Sequence, residues 1–408
     1  MPNQKKKAQL FTCDFLLIIA VCGLGRIGNH MQSVTVPLYM QSIGFTATVA
    51  GFMTTIYTIS SLVLRPFTGV LLDRLGRWPI VTMGTALFAI TSALFPMSKI
   101  LWLLVFIRIL QGIGFSTHAT AINTMGTDVL PESRLSEGIG YMGLTNSLST
   151  AVAPALALMM MESFGYQEAF LTIFLIAAVA SVLCFFIRYE KKKPIRHAPE
   201  QITWANLFER KSLFPSVLIM LMAGANVALG TFLATYAGAV GIEGVGIFFT
   251  VNAIAMTIAR LLGGKLTQWI GKQTMMILGF VGCFLGFLLI YVARSQLLLW
   301  LSATLYGFGY GMVYPLLNAM AVVNAAPTRR GAANATFLML MDLGIGLGSF
   351  MWGIAIDWLG VQWLFLLCSF SVVIATGIYI MVVFYSKKRL VHQTSCISIT
   401  KEEEDPHV

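Results

Sequence analysis

Arg26, Arg108 and Asp342 stand inside long apolar runs of this chain, and His30 and His118 stand in two of the same runs. A charge surrounded by hydrocarbon is costly unless it faces a cavity or a partner. Each of these groups therefore has to be satisfied by something. Arg26 and His30 are four residues apart and share a helical face. Arg26 is read either as held by backbone carbonyls or a structural acid, or as a cavity group that meets a solute. His30 and His118 carry the side-chain type that gains and loses a proton near neutral pH, with hydrogen-bonded packing as the plainer role. Asp342 is the one acid deep within an apolar run. It can carry a proton, pair with Arg108 or another buried cation, or help close a gate. Tyr310, Tyr314 and Asn318 follow at spacings of four and offer ring faces, hydroxyls and an amide to a cavity wall. The chemistry on offer is proton holding and ion pairing. No nucleophile–base pairing stands out, and no metal spacing, so an enzyme is the least expected class.

The elements that must position these residues are helices across a bilayer. The chain has 408 residues, 57% hydrophobic and 11% charged, where a soluble protein of this length carries about a quarter charged residues. About twelve runs are long enough to span: near 12–38, 46–72, 79–97, 100–126, 137–162, 167–188, 212–238, 245–270, 273–293, 296–322, 333–359 and 362–386. Runs of roughly 20 apolar residues indicate helices rather than the short alternating strands of a barrel. With the N-terminus inside, twenty Lys and Arg fall in inner segments and only Lys99 and Arg294 in outer ones. The positive-inside rule then places both termini in the cytoplasm of a multi-pass plasma-membrane protein. The net charge of +10 is thus accounted for by topology, not by a nucleic-acid partner. The basic start followed by an apolar run is read as an uncleaved first span. The six cysteines have no CxxC spacing and none lies in an outer loop, so no disulfide is expected. No GxxxxGK[ST] loop occurs, so no nucleotide cofactor is expected.

The stretch Arg65-Pro-Phe-Thr-Gly69-Val-Leu-Leu-Asp73-Arg74-Leu-Gly76-Arg77-Trp-Pro79 joins two of these spans. Gly69 lets helices approach closely, Gly76 permits the reversal and Pro79 suits a helix's first turn. Arg65 is expected near the inner interface, where it can snorkel. This stretch resembles the loop between helices 2 and 3 of the major facilitator superfamily, a class of twelve-helix secondary transporters. Arg108, Gln111 and Gly112 resemble that family's helix 4 signature. A degenerate form of its exporter signature in helix 5 keeps small residues at Ser149, Ala153 and Ala157 beside Pro154. The resemblance implies a gating latch in which Gly69, Asp73, Arg74, Gly76 and Arg77 act with Asp128. That latch is expected to close the cytosolic side and stabilise an outward-open state. The resemblance also implies a cavity lined mainly by helices 1, 4, 7 and 10, with proton coupling through Asp342, Arg108 or His118 and solute contacts from Arg26, His30, Tyr310, Tyr314 and Asn318. Arg26 stands where many cation exporters of the family place an acid.

The second half repeats the first at an offset of 195: Arg65 maps to Arg260, Gly69 to Gly264, Gly76 to Gly271, Gly112 to Gly307, Gly114 to Gly309, Arg134 to Arg329 and Gly165 to Gly360. Asp73 becomes Gln268 and Arg74 becomes Trp269, so the second loop loses its charge latch. The expected fold is an all-α membrane protein with two pseudo-symmetric six-helix bundles, 1–188 and 212–386. A cytosolic linker over 189–211, with a short surface helix near Trp204–Phe208, and a disordered tail over 387–408 complete it. The expected function is proton-coupled efflux of drugs or metabolites by a monomer. The alternative is proton-coupled uptake of a small organic anion or sugar.

Overall fold

Apolar runs of this length can satisfy their backbone groups in a bilayer only as helices. The computed structural model describes residues 10–131, 134–189, 209–323, 325–326 and 329–403, and the linker helix expected near Trp204–Phe208 lies outside them. The helices are α1 Cys13–Ser42, α2 Ala47–Leu75, α3 Arg77–Leu94, α4 Leu101–Val129, α5 Leu135–Ser163 and α6 Tyr166–Cys184. They continue with α7 Leu213–Val240, α8 Val245–Ile270, α9 Lys272–Val292, α10 Gln296–Val323, α11 Arg330–Leu359 and α12 Leu364–Glu403. Among the described residues, twelve helices are long and apolar enough to cross a membrane. Large apolar side chains such as Phe67, Ile90, Leu261 and Phe370 are left exposed on the outside of the bundle, as a lipid-facing surface requires.

The duplication read from the sequence is repeated in the backbone. Gly76 has φ 89° and ψ 164°, and Gly271 has φ 85° and ψ 153°. Each ends one helix and starts the next in a conformation that L side chains rarely adopt. Gly165 (φ 105°) and Gly360 (φ 91°) form a second matched pair. A Cβ on Gly114 would lie 2.9 Å from the Phe88 nitrogen, and one on Gly309 2.7 Å from the Cys283 nitrogen, so both repeats bring two helix backbones into contact at the same place. Tyr39 meets Phe170 edge-to-face, and Tyr236 meets Phe365 in the same way. Both tyrosines also donate to backbone carbonyls near the end of a neighbouring helix, Tyr39 to Pro96 and Tyr236 to Ile290.

Packing divides the helices six and six. α1, α3, α4, α5 and α6 pack on one another and α2 on α4; α7, α9, α10, α11 and α12 pack likewise and α8 on α10. Between the halves, α2 meets α11, α5 meets α8 and α1 meets α7. We call the end where α6 stops and α7 starts the linker end, and the opposite one the far end. α12 departs from the sequence reading: it continues to Glu403, where an unstructured tail is expected from 387. Residues 387–403 contain no Gly or Pro to stop the helix; Pro406 comes later.

Candidate functional site

The glycines of α11 and α2 determine what their charges can reach. A Cβ on Gly51 would overlap the Ser349 carbonyl oxygen, and one on Gly353 would lie 2.5 Å from that of Ala47. Thr55 donates across the same seam to the Gly346 carbonyl at 2.6 Å. On its other face α11 uses Gly348, whose Cβ would lie 2.5 Å from the Gly224 carbonyl of α7. α11 is thereby held against both α2 and α7, and Asp342 is set opposite Arg65. Arg65 Nη1 lies 2.6 Å from Asp342 Oδ2, an ion pair that crosses between the halves. Arg65 does not snorkel away from the bundle; it supplies Asp342 with its cation, and Arg108 does not. The Asp342 side chain is 11% exposed and that of Arg65 37%, so the acid is screened while the base reaches the open side.

The repeat makes this tie twice. Arg65 plus 195 is Arg260, and Asp342 minus 195 is Ser147. Arg260 Nη1 lies 3.3 Å from Ser147 Oγ, again between the halves. One tie is ionic and the other neutral. Between described residues, no hydrogen bond or ion pair joins the halves nearer the linker end than these two. Toward the far end the seam is continuous. Gly246 of α8 packs on Ala155 of α5, and Thr250 donates to the Ala151 carbonyl. Ala151 and Ala155 thus join Ser147 in touching the other half, while Ser149 turns toward the Gly23 carbonyl of α1. At the far end Asp357 accepts from the Ala47 and Thr48 N–H groups at 3.1 and 2.9 Å. A carboxylate from one half therefore caps a helix of the other. Within the first half, Asp14 accepts from the Arg188 N–H at 2.9 Å.

Between these boundaries lies a cavity of about 300 Å³. Its walls come from α1, α2, α4 and α5 of one half and α7, α8 and α11 of the other. Of the expected set of helices 1, 4, 7 and 10, α1, α4 and α7 line it, and α2, α5, α8 and α11 join them. α2 contributes Thr54, Tyr57, Thr58, Ser61 and Arg65, and α10 contributes none. The α10 tyrosines spend their faces on one another instead. Tyr306, Tyr310 and Tyr314 stack in a row with centroids 5.8 and 6.4 Å apart. Asn318 lies 3.5 Å from Asn334. Tyr310, Tyr314 and Asn318 are not among the residues that line this cavity.

Arg108 is 2% exposed and lines the cavity. A Cβ at Gly112 would lie 2.5 Å from the Tyr57 carbonyl oxygen, so glycine there brings α4 against α2. The Arg108 guanidinium then sits 4.5 Å from the Tyr57 ring centroid, a cation–π contact. Nε donates to the Met53 carbonyl at 3.2 Å; Nη1 donates to Gln111 Oε1 at 2.9 Å and Gln32 Oε1 at 3.3 Å. This explains the helix 4 signature physically: Gln111 accepts from the arginine, and Gly112 lets α2 come close enough to bring Met53 and Tyr57 to it.

Other expected site residues are placed differently. Arg26 is not among the cavity-lining residues. Its Nη1 donates to Asn146 of α5 at 2.7 Å and its Nε faces Cys22 Sγ at 3.3 Å. His30 does line the cavity, with Thr150 Oγ1 3.3 Å from its Nε2. His118 is buried in the space that Gly25 leaves, with Nδ1 2.8 Å from Thr85 Oγ1. It lies outside the cavity wall. Of the latch, Arg77 Nε reaches Asp128 Oδ2 at 3.2 Å, and Arg74 is exposed. The side chain of Asp73 and the surroundings of Gly69 lie outside the described part. Arg77 and Asp128 both belong to the first half, and their pair is formed while the halves are joined toward the far end. This pair ties α3 to α4 and does not itself join the halves. Sequence reasoning missed Asn29, Gln32, Tyr57, Asn226 and Asn252, which all line the cavity. The usable signal was an amide inside an apolar run.

The family model of the Major Facilitator Superfamily matches residues 16–349 and, in a second match, 240–395. The staphylopine export protein of Staphylococcus aureus is 25% identical over 373 residues, covering 88% of this chain and 92% of that protein. The uncharacterized MFS-type transporter YhhS of Escherichia coli is 27% identical over 352 residues, covering 83% and 85%. Among solved structures, the nucleoside transporter NupG superposes with a TM-score of 0.76 at 15% identity, covering 90% of this chain and 99% of that one. A bacterial homologue of the human lysosomal transporter Spinster, inward-facing and unoccupied, gives 0.72 at 13% identity, covering 90% and 96%. At these identities the structures speak for the fold alone. The family match runs through both six-helix halves and the cavity between them: the chain belongs to the major facilitator superfamily, as a multi-pass membrane transporter of a small molecule.

Proposed function

We propose that this protein exports a small polar metabolite across the plasma membrane in exchange for protons, by alternating access. The observation that carries the reading is the Arg65–Asp342 ion pair, which spans the two halves and lines the cavity between them. Ionised Asp342 holds Arg65 and ties α11 to α2. When the carboxylate takes up a proton, that tie is lost and the halves are freer to change partners. One residue thus couples proton occupancy to the seam. The excess of Lys and Arg at the linker end supports a cytosolic position for that end and for both termini. The cavity would then be reached from the cytosol in the state described. The export direction is supported by the likeness to a relative described as an export protein. The amides and hydroxyls on the wall support a cargo that carries polar groups. The Arg77–Asp128 pair serves in this reading as a brace that fixes the α3–α4 corner, with Gly69, Asp73, Arg74 and Gly76 completing the latch.

Proton-coupled uptake of an organic anion is the second reading, favoured by Arg108, which has no acid beside it among the described residues. Proteoliposomes loaded with a pH-sensitive dye separate the two. Proton movement opposite to solute supports exchange, and movement in the same direction overturns it in favour of uptake.

A further inference from the structure

The charges lining the cavity do not cancel. Arg65 and Asp342 neutralise each other at 2.6 Å. Arg108 remains, buried at 2% exposure, with only neutral acceptors around it. Its Nε and Nη1 are committed to Met53, Gln111 and Gln32. Its Nη2 makes no hydrogen bond with a described residue, although the side chain lines the cavity. A guanidinium edge held rigid on one side and open on the other is a receptor for a planar anion. The Tyr57 ring under the guanidinium fixes its plane, and the Tyr57 hydroxyl is itself held by Asn29. Thr54, one residue on from Met53, also lines the cavity, and its buried hydroxyl has no hydrogen-bond partner. A second donor is therefore placed on the same wall.

We infer that the transported solute carries a carboxylate, which docks on Arg108 Nη2 with the Thr54 hydroxyl as a second donor. One uncompensated positive charge matches a monoanion; a phosphate monoester brings close to two negative charges and would leave one buried without a partner. The polar remainder of the solute is taken by Asn226 and Asn252 on the facing half. A solute held by both halves is contacted on each side of the seam that has to move. This inference rests on reading the cavity as the solute site, but not on proton coupling or on direction.

The test is equilibrium binding to the full chain in lipid nanodiscs with no gradient present. The probes are a panel of dipeptides and N-acyl amino acids, each as the free acid and as the primary carboxamide, with alkyl phosphate monoesters as a third arm. We expect free acids to bind at least tenfold more tightly than their carboxamides and than the phosphates. Arg108→Gln should reduce that preference to less than threefold. Should Arg108→Gln fail to fold, Thr54→Val keeps the shape of the wall and should weaken free acids about threefold or more with little effect on the carboxamides. Equal binding of acids and carboxamides, preference for phosphates, or no binding by any free acid overturns the inference. A chain that binds carboxylates but moves no protons would refute the exchange reading and leave this one standing.

Discussion

Asp357→Ala should open the far end of the seam. The three first-turn N–H groups of α2 are all satisfied in this structure. Val49 donates to its own cap, Thr46, while Ala47 and Thr48 donate to the two oxygens of Asp357 on α11. Hydrogen bonds to a charged group contribute about 1.5–3 kcal/mol each when buried, and the helix terminus adds about 0.3–1 kcal/mol. Asp357 is exposed, so water replaces much of what alanine removes, and we take about 1–2 kcal/mol for the whole contact. That corresponds to a shift of about 5- to 30-fold toward states with the far end apart. The assay is the labelling rate of a cysteine placed at Gln41, which meets Thr235 across the same end. A membrane-impermeant maleimide is used, with the parent protein as background. Labelling should accelerate 5- to 30-fold in Asp357→Ala and by an intermediate factor in Asp357→Asn, which keeps one acceptor. Rates within twofold of the parent in both variants would refute the cap as a tie between the halves.

Other consequences can be checked on the same protein. Gly309→Ala sets a Cβ 2.5 Å from the Gly279 carbonyl, whereas the equivalent Gly114→Ala finds its nearest atom at 2.9 Å. Both should lower thermal stability, by about 1–3 kcal/mol, and Gly309→Ala by more; the reverse order in a melting series would contradict the packing. Ser147→Asp should add an ion pair to Arg260 that mirrors Arg65–Asp342. The gain is small because Arg260 is exposed, about 0.2–1 kcal/mol, and is read as slower turnover with a slightly higher melting temperature. His118→Gln should keep proton-driven transport while losing stability, because the ring packs against Gly25 and Thr85; loss of coupling with intact folding would contradict this.

The fold was legible because two independent records agreed. Run lengths gave the spans, and the offset of 195 gave the two halves, down to the matched torsions of Gly76 and Gly271. The site was legible only in part. Arg108 and Asp342 announced themselves as charges in apolar runs, and both line the cavity. Their partners were not legible. Arg65 finds Asp342 only because Gly51 and Gly353 let α2 and α11 touch, a contact between residues 277 positions apart (342 minus 65). For Arg26 a spacing of four shows which residues share a helical face, not what that face meets; Asn146 of α5 takes the guanidinium. On α10 the tyrosine spacing suits a cavity wall and a self-stacked row equally, and only packing selects the row.

The coupling role of Asp342 is tested most directly by comparing solute exchange with proton-driven transport in Asp342→Asn proteoliposomes. Exchange of labelled for unlabelled solute should persist, while an imposed pH gradient should no longer drive accumulation and the internal dye should report no solute-dependent proton movement. Gradient-driven accumulation at the wild-type rate in Asp342→Asn would contradict the Arg65–Asp342 pair as the coupling element.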